Sequence, residues 1–91
     1  MRILYIPQTN PGRKINYQFT NETITATFEG VTDVFDFSLM PDGEANQIET
    51  ALSINPIINA VKENGSLSIE LLNFIPEDAT ENEKFPVWME V

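Results

Sequence analysis

The chain has no cysteine and no histidine, and these two absences remove most of the chemistry that small proteins carry. Without cysteine there is no disulfide framework to brace a small core, no thiolate nucleophile and no thiolate metal ligand. Without histidine the His-dependent triads go as well, and so do His or Cys zinc sites. Glycine occurs four times and never in a phosphate-cradling pattern, which argues against P-loop and dinucleotide fingerprints. Five basic residues stand against fourteen acidic ones. They are too few to neutralise many phosphates, so nucleic acid is not the expected partner. No run is apolar and long enough for a membrane span, and no signal-like n-region and h-region are visible. The expectation is a soluble protein with no membrane partner, cytosolic by default.

Carboxylate chemistry remains, with Asp33, Asp36, Asp42 and Glu44 as the acids that would have to pair or hold a divalent cation. A glycosidase needs a cleft between two such groups, and 91 residues leave little room to build one. The stretch PDGEANQIE contains only fragments of a calcium-binding loop. No catalytic residue, cofactor or metal ligand is assigned, and a non-enzymatic protein is expected.

Charge is unevenly placed. The net charge is -9, yet Arg2, Arg13 and Lys14 keep the first fourteen residues positive, and residues 15–61 hold seven carboxylates with no Lys or Arg. An acid-only surface repels phosphates and attracts basic partners within a Debye length of about 8 Å. Plain solubility explains the same pattern. A surface imitating DNA would need carboxylates spaced like phosphates along one face, a property of the fold.

The hydrophobic content of 42% is ordinary for a folded chain and too high for a disordered one. One domain with one small core is the size limit. Along it, the period of strands dominates. Ile15, Tyr17 and Phe19 alternate with polar residues, as do Ile24, Ala26 and Phe28. The two runs form a hairpin around TNE, where Asn21 tolerates a left-handed backbone. Gly30 permits a second reversal into VTDVFDFS, whose apolar residues of both parities predict a strand covered on two faces or kinked by a bulge. LMPDGEANQ reads as a loop, and IETALSI as an edge strand.

In INPIINAVKENGSLSIELLNF a short helix capped by Asn55 competes with a hairpin turning on Asn64 and Gly65. Register favours the hairpin, because that turn sets Ala60 opposite Ile69 and Ile58 opposite Leu71. Thr80 and Glu83 have the spacing of a capping box, which predicts one helical turn.

The expected fold is all-β, a small single-domain sandwich or barrel of short antiparallel strands over residues 1–91, with at most one short helix. Residues 76–91 form an acidic linker and a closing strap. Tyr17, Phe19, Phe28, Phe35, Phe37 and Phe74 are expected mainly in the core. Phe85 and Trp88, in the terminal FPVWMEV, are candidates for a seal or a contact. Fully exposed, FPVWM would be an aggregation and proteolysis liability. A strap laid across the domain is therefore the reading, with a partner contact as its rival.

The combination INPI, AVKENGSLSIELLNFI and the acidic EDATENEKFPVW, residues 54–88, resembles small proteins encoded among tail genes of bacteriophages and prophages of Gram-positive bacteria. That group's motif has no catalytic residue to carry over. The resemblance implies a phage-encoded structural or accessory protein associated with the tail or its assembly, working by protein–protein contact and self-association. Its place would be the bacterial host cytoplasm or the virion. Phe85 and Trp88 would make the contact. The alternative is an acidic host-takeover factor that binds a basic host protein through Asp33, Asp36, Asp42 and Glu44.

Overall fold

The computed structural model describes residues 1–45 and 47–91. Among the described residues, eight strands and one helical turn follow in order: β1 (Arg2–Thr9), β2 (Asn16–Thr20), β3 (Thr23–Phe28), β4 (Val31–Asp36), β5 (Gly43–Ala45), β6 (Ile57–Glu63), β7 (Ser66–Ile75), α1 (Glu81–Lys84) and β8 (Met89–Glu90). They build two sheets, a five-stranded one in the order β5-β6-β7-β1-β8 and a three-stranded meander β2-β3-β4. The inner faces meet in one core in which Ile3, Ile24, Ile57, Ile69 and Leu71 are fully buried. The all-β expectation holds, and of the sandwich and barrel left open by the sequence the fold is sandwich-like. One pair departs from antiparallel order: β1 runs parallel to β7 along its whole length, from Arg2 opposite Ser68 to Thr9 opposite Ile75.

The two predicted hairpins form for the reasons read in the sequence. β2 and β3 pair with Tyr17 opposite Ala26 and Phe19 opposite Ile24, and the turn uses Asn21 at φ 53°. β6 and β7 turn on Asn64 and Gly65, both at positive φ, the backbone that a two-residue hairpin twisting with its strands requires. Ala60 lies opposite Ile69 as expected, but Leu71 faces Ile57 instead of Ile58. A register shift between Ile57 and Asn59 inserts one extra residue. It turns Ile57 into the core and leaves Ile58 exposed.

Three further expectations are corrected. β4 pairs with β3 in an unbroken register from Val31 to Asp36. It has no bulge, and only one face is covered, with Val34 left in solvent. IETALSI is not a strand. Its Thr50 and Ala51 are hydrogen-bonded to Asp33, Leu52 is drawn into the core, and the amide of Asn55 donates to Ile48 O at 3.2 Å. Those contacts bend the backbone out of any ladder. The edge strand falls instead inside the expected loop, where Gly43–Ala45 pairs with β6.

Two polar ties join the layers. The hydroxyl of Tyr17, on β2, donates to the carbonyl of Leu72 on β7. Burial, with Tyr5 close by, pushes its pKa well above the ordinary value, so it stays a donor. Lys62, only 8% exposed, reaches from β6 to Phe37 O at 3.3 Å and to the Glu22 carboxylate at 3.5 Å. Such a buried ammonium is tolerated because a carboxylate and a carbonyl accept two of its three donors.

Tyr17→Phe keeps the ring and removes the tie, and should cost about 1 to 2 kcal/mol in denaturant unfolding; an unchanged midpoint would mean the bond contributes nothing. The β3–β4 turn holds Glu29 at φ 50° beside Gly30 at φ 79°, a left-handed position that costs a residue other than Gly or Asn about 1 kcal/mol. Glu29→Asn recreates the Asn-Gly pair of the other hairpin. It should stabilise the fold by about 0.5 to 1 kcal/mol, even though it gives up the exposed Arg13–Glu29 ion pair.

Candidate functional site

The chain's ending is built from local signals outward. Ala79 N donates to Pro76 O at 3.3 Å. Thr80 then starts α1 with the predicted capping box: its side chain accepts from Glu83 N and its own N–H donates to the Glu83 carboxylate at 3.1 Å. After one turn the chain extends through FPVW into β8, which pairs antiparallel with β1, Arg2 opposite Glu90 and Ile3 opposite Met89. Val91 N closes the ladder on Met1 O at 3.0 Å, and the Glu90 carboxylate lies 3.6 Å from the terminal ammonium. The guanidinium of Arg2 sits 5.0 Å from the Trp88 ring centroid, a cation–π contact, and donates to Ser68 Oγ at 3.0 Å.

The backbone is fastened, but the side chains are not buried. Phe85 and Val87 are each 71% exposed and Trp88 39%, with Met89 and Val91 also outside the core. Phe85, Pro86, Val87 and Met89 line, with Tyr5, a groove of about 410 Å³ at this end of the molecule. A run of exposed apolar side chains on a fixed backbone is the composition of a contact surface.

The four acidic candidates do not form one row. Asp33 and Asp36 are three residues apart on β4 and therefore face opposite sides of it, while Asp42 and Glu44 belong with the other sheet. Asp33 accepts from Ala51 N at 2.9 Å, Thr50 Oγ1 at 2.8 Å and Val34 N at 2.9 Å, and these donors hold its pKa below the usual carboxylate value. Asp36 accepts from Ser38 N at 2.9 Å and is lowered chiefly by that bond. Asp42 accepts from Asn64 N and Gly65 N at 2.9 and 3.1 Å, so its carboxylate caps the β6–β7 turn. Glu44 is exposed on the edge strand β5. Among the described residues, no three potential metal ligands are grouped to hold an ion.

A second surface escaped sequence reasoning. On the outer face of the five-stranded sheet, Arg2, Asn59, Ser68, Glu70 and Trp88 border a groove of about 360 Å³. Its members come from β1, β6, β7 and the run into β8. The parallel β1–β7 register and the docking of β8 on β1 bring Arg2 and Trp88 to the residues of the β6–β7 hairpin, and neither pairing has a local signal. The buried Oδ1 of Asn59 has no donor among the described residues.

Comparison with known proteins finds no matching family model, no similar curated protein and no similar solved structure.

Because the folded state lowers the pKa of Asp33, the stability Asp33 contributes is complete above the unfolded value of 3.8 and disappears as pH falls through the depressed folded value. Asp33→Ala should therefore melt several degrees below the parent at neutral pH. The gap should close as the solution is acidified through the carboxylate range. A gap independent of pH would assign the loss to packing.

Proposed function

We propose that this chain is a non-enzymatic interaction protein of a bacteriophage or prophage, a structural or accessory component that binds protein partners, tail proteins or further copies of itself, through its apolar ending. The observation that carries the contact is the exposure of Phe85, Val87 and Trp88 on a segment whose backbone is already paired to β1. Ordering that segment costs little on binding because the ladder has fixed it beforehand, and preordered aromatic side chains are effective anchors. The phage and tail setting rests on the sequence resemblance over residues 54–88. On this reading the protein works in the host cytoplasm during assembly or in the virion.

The rival reading, an acidic decoy for a basic host protein, draws less support from the geometry. Asp33, Asp36 and Asp42 are engaged by the chain's own amides, and the acids are split between the sheets. Both readings are separated by capture from lysate of the phage host at low and high salt, with the bound proteins identified by mass spectrometry. The contact reading predicts phage structural proteins that survive high salt and are lost with the paired substitution Phe85→Ser and Val87→Ser, which should cost less than about 1 kcal/mol of stability because both side chains are exposed. A basic host protein that high salt releases, and that the paired variant still captures, would overturn it.

A further inference from the structure

We propose that the groove on the outer face of the five-stranded sheet is a saccharide-binding site, with Trp88 as its stacking surface. It shares Trp88 with the apolar ending but none of Phe85, Val87 and Met89, which line the other groove. The groove's volume of about 360 Å³ lies at the lower end of the range of small-ligand pockets, roughly 300 to 1,000 Å³, and suits one or two sugar rings.

The chemistry of the lining selects among ligands. Glu63 and Glu70 face the groove together with the single cation Arg2, so the local balance is acidic and an anionic ligand such as a phosphate is disfavoured. Asn59, Asn64, Ser66 and Ser68 add polar side chains to the lining, so a wholly apolar ligand would leave these groups desolvated and unpaired. A cationic ligand would meet the Arg2 guanidinium, 5.0 Å from the indole centroid, as a like charge. What remains is a neutral polyol with one apolar face. A pyranose lays its C–H face on an indole and presents hydroxyls that donate to carboxylates and amide oxygens and accept from a guanidinium.

The sheet positions these partners rigidly. Ser68 and Glu70 share one face of β7 two residues apart. Arg2 is opposite Ser68 in the parallel ladder and hydrogen-bonded to it, and Asn59 is opposite Glu70 across β6. The acceptor of Asn59 that has no donor among the described residues would gain one when its amide turns toward a ligand hydroxyl.

Trp88 is the only tryptophan in the chain, so its emission reads occupancy directly on the full-length protein. The probes are neutral trisaccharides of glucose, galactose, mannose and N-acetylglucosamine, titrated to about 20 mM, a range that reaches millimolar dissociation constants. The expected result is a saturable change with at least one probe. Glu70→Ala and Asn59→Ala, each checked for an unchanged melting temperature, should weaken that probe at least about tenfold through loss of a hydrogen bond to the ligand. No saturable change with any probe overturns the proposal. It is equally overturned if glycerol at matched concentration gives the same change, if both variants bind as the parent does, or if an arginine-rich peptide saturates the emission and the sugars do not.

Discussion

The parallel pairing of β1 with β7 is the contact on which the rest of the structure depends. It joins residues 66 positions apart in sequence and sets Ile3, Ile69 and Leu71 side by side at the centre of the core. No cysteine is present to close such a loop covalently, so apolar burial and ladder hydrogen bonds must offset its closure entropy. Once formed, the pair determines both candidate surfaces. β7 offers Ser68 and Glu70 to the outer face beside Arg2, and the far edge of β1 becomes the template on which β8 docks.

The carboxylates of the middle of the chain take their meaning from the same frame. As a string of letters they look like a charged surface awaiting a basic partner. In the fold, Asp33 pins the 50–51 segment against β4 and Asp42 holds the amides of the β6–β7 turn. Ionised carboxylates that accept backbone N–H groups are short-range clamps, and their hydrogen bonds contribute more than neutral ones. The buried Lys62 answers one of the remaining acids, Glu22, from inside the sandwich. Asp33, Asp36 and Asp42 are thus committed to holding loops and turns, while apolar side chains are exposed at the ending.

What was legible in the sequence was local. Alternation identified β2 and β3, the Asn64-Gly65 pair identified the second hairpin, and the Thr80–Glu83 spacing identified α1. Each is decided by neighbours within a few residues. β1 was not legible, because RILYIPQT carries apolar residues on both parities, as a strand covered on two sides does, and its partner lies at the other end of the chain. The Ile58 bulge was hidden for a related reason: Ile57 and Ile58 are chemically equivalent, and only the space inside the sandwich chooses between them. The 48–54 segment misled through its composition, since its apolar residues serve a loop that tucks Leu52 into the core. Phe85 and Trp88 were singled out in the sequence, and the fold leaves both side chains exposed. The division of labour there, with backbone paired and side chains out, appears only once β8 is seen on β1.

That division is the central claim, and hydrogen exchange read residue by residue on the full-length protein tests it most directly. The account predicts slow exchange for the amide of Val91, bonded to Met1 O, and for the Ile3–Met89 pair, with protection close to that of the outer strands. Apolar spin-label or solvent probes should at the same time reach Phe85 and Val87 freely. If the amides of Met89 and Val91 exchange at the rate of an unstructured peptide, the ending is not a docked strap, and the preordered contact surface built on it does not exist.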